Sequence, residues 1–373
     1  MAHVEKRGSG RWRARYRDPN GQERSRTFAR RADAERFLAT METDKLRGSW
    51  VDPAAGRSAF GEYARRWQEL QVHRDTTAAQ VDTHLRRHVL PFFGHRAIGA
   101  IAPSEVQAWV KHRSAVLAPA TVEVVYRYLA AVFRSAVRDR LIVTSPCVDV
   151  RLPRPVVRQV VPLETDQVLA LADAVPDRYR ALVLLTAGTG LRQGEAFGLT
   201  LPKVDFLRRT LRVDLQLVLL ANRPPFLAPP KTEASLRTVP LPDVVIEALA
   251  AHVAAYPATQ VAGLGPLVFT NERSEAIRRN RFGDVWRRAV QVCGLPAGTG
   301  FHHLRHYYAS LLIRHGESVK VVQSRLGHAS AKETLDTYGH LWPDSDDLTR
   351  QAVDLVLSRP PAACTRPEGT TSR

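Results

Sequence analysis

Four separated clusters in the C-terminal half of the chain hold residue types that could act on a phosphate. The first is Thr189-Gly190-Leu191-Arg192-Gln193-Gly194-Glu195. Gly190 permits a tight turn, which places Arg192 in the first turn of a following helix and Glu195 one turn on. A helix N-terminus beside an arginine fork suits an anion, although the same spacing also suits a plain surface ion pair. The second cluster is Phe301-His302-His303-Leu304-Arg305-His306-Tyr307-Tyr308. Leu304, Tyr308, Leu311 and Leu312 make the buried stripe of a helix, and His302 and Arg305, three apart, share a face near its start. His302 and His306 stand four apart, a spacing a metal could use. However, there is no H-E-x-x-H pattern and no third ligand nearby, and an adjacent arginine favours an anion over a cation. The third, Leu326-Gly327-His328, closes a helix carrying Val319 and Val322, with Gly327 placed to end it and present His328 from a fixed corner. The fourth is Thr337-Tyr338-Gly339-His340. Taken alone, Tyr338 reads as a packed aromatic; only the company of the other three clusters makes it a candidate nucleophile.

The elements expected to position these clusters lie between Leu163 and about Pro343. Residues 178–186 and 191–199 read as helices. Leu211, Val213, Leu215, Leu217 and Leu219 alternate as in a half-buried strand, with 236–241 as its partner. Further helices are expected from Val244, Asn280, His302 and Ser318. Upstream, residues 151–162 hold three prolines and three arginines and read as a linker. Residues 57–150 read as all-helical. Phe60, Tyr63, Ala64, Trp67 and Leu70 form one apolar stripe, Ser104 to Gln107 a capping box, and Val122, Val125, Leu129, Val132, Phe133 and Ala136 a long amphipathic face. The polar residues His84, Arg86, Arg87 and His88 fit a solvated surface, or phosphate contacts.

Residues 1–50 form a module of their own, with 13 Lys/Arg against 7 Asp/Glu. From Arg11 to Arg17 the chain alternates strictly, so Trp12, Ala14 and Tyr16 face one side of a strand and Arg11, Arg13, Arg15 and Arg17 the other. Asp18-Pro19-Asn20-Gly21 signals a turn into a return strand over 23–28, followed by a helix over 32–46. A β-ribbon with an arginine face, backed by a helix, suits the major groove of DNA; a solvated hairpin face is the plain alternative.

Composition narrows the partner. The 373 residues carry 54 Lys+Arg against 37 Asp+Glu, a formal charge of +17, and 47 of those cations are arginines. A GC-rich coding bias would favour Arg over Lys, but it does not require such an excess of positive charge, and a polyanion partner is expected. Three widely spaced cysteines exclude a disulfide scaffold or zinc ribbon and fit a reducing cytoplasm. No apolar run approaches the roughly 18 residues of a membrane span, and no secretory signal is legible. The tail from Pro360 is expected to be disordered.

The order Arg192 in T-G-L-R-Q-G-E, His302-x-x-Arg305, Leu326-Gly327-His328 and Tyr338-Gly339-His340 resembles the catalytic signature of the tyrosine recombinases, the phage integrases. Each motif is weak by itself; all four in order are specific. The match covers about residues 163–343. The upstream segments resemble, less specifically, the arm-type DNA-binding module and helical core-binding domain of integrases. His303 stands where the family commonly has Asp, and the three-residue spacing to Arg305 selects His302 over it. The resemblance also implies a lysine on a β-hairpin, and Pro229-Pro230-Lys231-Thr232 before Ser235 to Pro240 makes Lys231 that candidate.

The resemblance implies an α+β multidomain protein. A β-ribbon-plus-helix module (1–50) and an all-α core-binding domain (57–150) would precede the linker (151–162). A mainly α catalytic domain with a small antiparallel sheet (163–345) and a C-terminal tail (346–373) would follow. It further implies that Tyr338 attacks a backbone phosphorus to give a 3′-phosphotyrosine, and that Arg192 and Arg305 clamp the phosphate. His302 would assist proton removal from Tyr338, His328 would hydrogen-bond the phosphate, Lys231 would protonate the leaving 5′-oxygen, and Glu195 would support Arg192. No metal or other cofactor is implied. The partners would be double-stranded DNA attachment sites and three further copies of the chain in a homotetramer, with an excision directionality factor as a further partner and no membrane. The activity would integrate or excise a mobile element such as a prophage. Two rivals are a type IB topoisomerase, against which the extra N-terminal module argues, and a catalytically silent DNA-binding protein, against which the intact set of six residues argues.

Overall fold

The computed structural model describes residues 2–18, 21–46, 51–52, 54–155, 159–221, 223–342 and 346–357. The chain divides into two compact units, Met1–Val157 and Arg158–Arg373.

In the first unit the alternation of 12–17 produces strand β2 (Trp12–Arg17), but it is the centre of three strands rather than half of a ribbon. β1 (His3–Lys6) and β3 (Glu23–Phe28) pair with it antiparallel on either side. The expected ribbon is thus corrected to a sheet: β1 is short and polar, so no alternation announces it, and only its pairing makes it a strand. Ala14 and Tyr16 pack under Ala34 and Leu38 of α1 (Arg31–Leu46). On the opposite face, Glu5 comes level with Arg13, and Arg15 bridges Glu5 at 3.0 Å and Glu23 at 2.9 Å.

The helices α2 (Phe60–Glu69), α3 (Asp75–His84), α4 (Leu90–Phe93), α5 (Pro103–Ser114) and α6 (Pro119–Arg138) follow, with a π-helical turn at Leu85–Val89. The predicted stripes of α2 and α6 meet in one core, where the rings of Phe60 and Phe133 lie 5.1 Å apart. Each such side chain, fully buried, contributes about 1.5–3 kcal/mol. The capping box is corrected. The cap position is Ala102, Pro103 opens the helix, and Glu105 Oε2 accepts from the Ala102 N–H at 2.9 Å. Proline's fixed φ and missing N–H suit the first helical position and displace Ser104 from the cap. At the start of the expected linker, Gln107 exchanges two hydrogen bonds with the Arg151 backbone; residues 156–158 lie outside the described residues.

The second unit opens with α7 (Thr165–Ala174), α8 (Asp177–Thr189) and α9 (Gln193–Phe197). Strands β4 (Val204–Asp205), β5 (Thr210–Val213), β6 (Gln216–Val218), β7 (Phe226–Ala228) and β8 (Arg237–Pro240) come next. Then follow α10 (Asp243–Ala255), the hairpin β9 (Thr259–Val261) with β10 (Gly265–Leu267), and α11 (Arg279–Val292). α12 (His303–Arg314), α13 (Val319–Leu326), α14 (Ala331–Tyr338) and α15 (Asp346–Leu357) complete it. The tail from Pro360 lies outside the described residues.

Two expectations are corrected here. The strand over 211–219 breaks, β5 lying between β4 and β8 and β6 pairing with β7. Asp214, at the break, pairs with Lys203 at 2.5 Å and Arg212 at 3.2 Å, which turns the chain away from the first sheet. The helix over 191–199 shrinks to α9, because α8 ends on Gly190 in the left-handed region (φ 65°) and leaves Arg192 extended at the cap.

Gly190 is where the fold touches the site most tightly. A β-carbon there would stand 2.5 Å from Tyr308 Cδ1 and 2.9 Å from Leu326 Cδ2. Gly190→Ala is therefore expected to lower unfolding free energy by about 1–2 kcal/mol for the left-handed backbone and about 1–3 kcal/mol for overpacking. Denaturant titration measures this, and an unchanged midpoint would refute it.

Candidate active site

α8, α12 and α13 converge where Gly190 ends α8. Arg305, on the first turn of α12, is 2% exposed, and its guanidinium donates to the Gly190 carbonyl at 2.6 Å and the Leu326 carbonyl at 2.7 Å. Two carbonyls fix the fork without neutralising it. Burial, then neighbouring Arg192, push its pKa down to about 9, which still leaves it charged at neutral pH. Arg192 donates to Glu195 Oε1 at 3.0 Å, Ser235 Oγ at 3.2 Å and the Gly327 carbonyl at 3.0 Å.

Glu195 is the hub. Burial works against its charge, but Arg237 and then Arg192 hold its carboxyl below the usual range. Arg237 Nη2 meets Glu195 Oε2 at 2.8 Å, while its Nε donates to the Arg325 carbonyl. Arg237 was not anticipated. In the sequence it is one more arginine, between Leu236 and Thr238 at the start of β8, and no pattern marks it for burial.

Gly327, left-handed at φ 66°, ends α13 as expected and turns the chain to His328. That ring is 7% exposed, its Nδ1 is 2.9 Å from Thr334 Oγ1, and burial, Arg305 and Arg192 push its pKa down to about 3. Tyr338 closes α14, a helix capped by Ser330 and not foreseen. The tyrosine is 1% exposed and stacks on His328 with ring centroids 6.3 Å apart. Burial pushes its hydroxyl up to about 12 against the pull of Arg305 and Arg192.

The hydroxyl's partner is not His302. His306 Nδ1 lies 2.8 Å from Tyr338 Oη, and the His302 ring meets His306 edge-on at 4.8 Å. His302 instead opens, with Arg192, Lys231 and Glu333, on a cleft of about 1210 Å³. Although its edge is exposed, the surrounding protein, Arg305 and Arg192 push it down to about 4. Lys231 is exposed in the loop between β7 and β8 rather than on a hairpin, on the wall of the same cleft. Arg192, Glu195, Lys231 and His302 line this cleft, while Arg305, His328 and Tyr338 are buried at the helix ends next to Arg192. Arg11, Arg13, Arg15 and Arg17 belong to the other unit, where Arg13 and Arg15 share their face with Glu5 and Glu23.

The depressed histidines have a consequence for stability. A histidine whose folded-state pKa lies below its ordinary 6.5 stabilises the fold fully above that value. The contribution is lost as pH falls toward the folded value, because the unfolded chain binds protons the folded one refuses. With His302, His306 and His328 all depressed, Tm of the DNA-free protein should be level from pH 8 to 7 and drop between about 6.5 and 4. A melting point unchanged between pH 7 and 5, followed by circular dichroism, would count against this.

Comparison with known proteins agrees with this geometry. The model of the phage integrase family matches residues 162–344, that of the phage integrase central domain residues 60–152, and that of the phage integrase N-terminal domain residues 3–47. A protein described as a prophage phiRv2 integrase of Mycobacterium tuberculosis is 28% identical over 337 residues, 88% of each chain. The integrase of Mycobacterium phage FRAT1 is 26% identical over 339 residues, 87% of this chain and 98% of that one. Among solved structures, the Tn1549 transposon integrase in complex with a circular intermediate DNA superposes with a TM-score of 0.68 at 20% identity, covering 80% of this chain and 99% of that one. A lambda integrase tetramer bound to a Holliday junction gives 0.57 at 19%, covering 88% and 96%; these two show the shared fold. The chain belongs to the phage integrase family. It is accordingly a tyrosine recombinase, an enzyme that cuts and rejoins DNA at specific sites.

Proposed function

We propose that this integrase cleaves DNA with Tyr338 and holds the scissile phosphate between Arg192 and Arg305. The observation that carries the reading is the meeting of two arginines, His328 and one buried tyrosine around the ends of α8, α12 and α13, from positions far apart in the chain. Tyr338 Oη gives up its proton to solvent of the cleft that His302 faces and bonds to phosphorus, the bond to the 5′-oxygen breaks, and the 3′ end is left on the tyrosine. The guanidinium of Arg192, open to the cleft, and that of Arg305 beneath it stabilise the charge that grows on the non-bridging oxygens. His328 donates a hydrogen bond to the same phosphate, His302 faces it from the cleft wall, and Lys231 supplies the proton taken by the 5′-oxygen. Glu195 holds Arg192 in place.

The arginine-bearing sheet of residues 3–28 and the helical segment 60–138 would also bind the attachment site, a reading supported by the charge of +17, which phosphate contacts would use. Four protomers acting on two duplexes would integrate or excise a mobile element in the cytoplasm, excision drawing on a directionality partner. Among the described residues no helix is long and apolar enough to cross a membrane. The test is a nicked suicide substrate carrying the attachment site, with the adduct digested and the nucleotide-bearing peptide identified. The nucleotide should sit on Tyr338, and two intact sites should give recombinant product. A nucleotide on another residue, or relaxation of supercoils without recombination, would overturn the proposal.

A further inference from the structure

The nucleophile is gripped by a histidine to which none of the expected roles was assigned. The phenol ring of Tyr338 is buried among Tyr308, Ile313, Val322 and Leu326, where a hydroxyl without a partner would be costly. His306 Nδ1 meets it at 2.8 Å, and the two rings stand edge-to-face with centroids 5.6 Å apart. His328 stacks against the tyrosine at an interplanar angle of 9°, so the phenol is confined by both rings. His306 follows Arg305 directly on α12. The helix turn that fixes the guanidinium on the Gly190 and Leu326 carbonyls therefore also sets the acceptor for the tyrosine.

We propose that His306 is the residue that aims the nucleophile: its Nδ1 accepts the hydrogen bond from Tyr338 and fixes the hydroxyl beside the phosphate clamp. This rests on Tyr338 being the residue that attacks. Both partners are in the form this needs. Burial, then His302, His303 and Arg305, push the pKa of His306 down to about 4, so its ring is neutral, and Tyr338 keeps its proton. With Nδ1 as acceptor the phenolic proton points into the imidazole, and the oxygen lone pairs stay free for phosphorus. With Nδ1 as donor, one lone pair would be pinned. His306 is therefore assigned the tautomer that carries its proton on Nε2.

The experiment compares single-turnover adduct formation on the nicked substrate for wild type, His306→Leu, His306→Asn and Tyr338→Phe, with DNA affinity and melting temperature measured for each. Leucine fills the space but accepts nothing, and should slow the adduct about 100-fold with DNA affinity unchanged, the effect of a misdirected nucleophile. Asparagine offers Oδ1 near the place of Nδ1, and should return the rate to within about tenfold of wild type. If leucine leaves the rate at the wild-type value, or asparagine is as slow as leucine, the role of His306 falls. Asparagine keeps the test valid even if the leucine variant melts early. An adduct from Tyr338→Phe would instead overturn the reading of Tyr338 itself, whatever the His306 variants do.

Discussion

With phenylalanine at position 338, the protein should bind its DNA site as tightly as wild type and form no denaturant-resistant adduct. The substitution removes one oxygen, which in the proposed mechanism is the atom that bonds to phosphorus. The rate should fall by at least about 10⁴-fold, as when the attacking atom of a covalent mechanism is removed. The structural cost is small by comparison. The hydroxyl is bonded to His306 at 2.8 Å, and losing one such bond costs about 1 kcal/mol. The ring keeps its stacking on His328 and its place among Tyr308, Val322 and Leu326. A gel-shift titration, a melting curve and a denaturing gel separate the two effects. An adduct surviving in the variant would remove Tyr338 from the mechanism.

Arg305→Ala should fail in two ways at once, and the double failure distinguishes it from the other arginine. In the proposed mechanism its guanidinium stabilises charge on the scissile phosphate, and loss of a preorganised donor of this kind costs about 10²–10³-fold in rate. It also satisfies the carbonyls of Gly190 and Leu326 while only 2% exposed. Alanine leaves both acceptors buried without a partner, at about 1–3 kcal/mol each, and leaves a cavity as well. The second unit should therefore melt several degrees lower. Arg305→Lys keeps the charge, but an ammonium cannot reproduce the flat fork that spans two carbonyls, so it should recover stability in part and activity little. Arg192 has a side chain 32% exposed, and its replacement by Ala should cost comparable activity with a smaller loss of stability. An Arg305→Ala protein with a wild-type melting point, or one slowed less than tenfold in single-turnover cleavage, would contradict this account.

Much of the site could be read from the chain because its parts are locally specified. Gly190 permits a tight turn, and it supplies one two residues before Arg192, where it closes α8. Gly327 had to turn the chain before His328, and it does so in the left-handed region. His302 and Arg305 had to share the start of one helix. Such rules act within about four residues, the reach of a helical hydrogen bond, and they need no knowledge of the rest of the molecule.

The failures have the opposite character. The strand over 211–219 alternated correctly yet broke at Asp214, because the choice between pairing with β8 and with β7 is made by strands elsewhere. β1 had no pattern of its own and exists because β2 had a free edge. His306 stood in plain view at a metal-like spacing from His302, and only the packing of α14 against α12 puts Tyr338 at its nitrogen.

The sequence by itself determined which residues could form a phosphate-cleaving set around Tyr338, since the residue types and their short spacings carry that information. The tertiary structure alone decided that Arg305 rests on carbonyls from α8 and α13, that Arg237 holds Glu195, and that His306 rather than His302 receives the tyrosine. Those partners lie between 21 and 115 residues apart. What joins them is the close packing of helix ends, a property of the assembled core that no local pattern encodes.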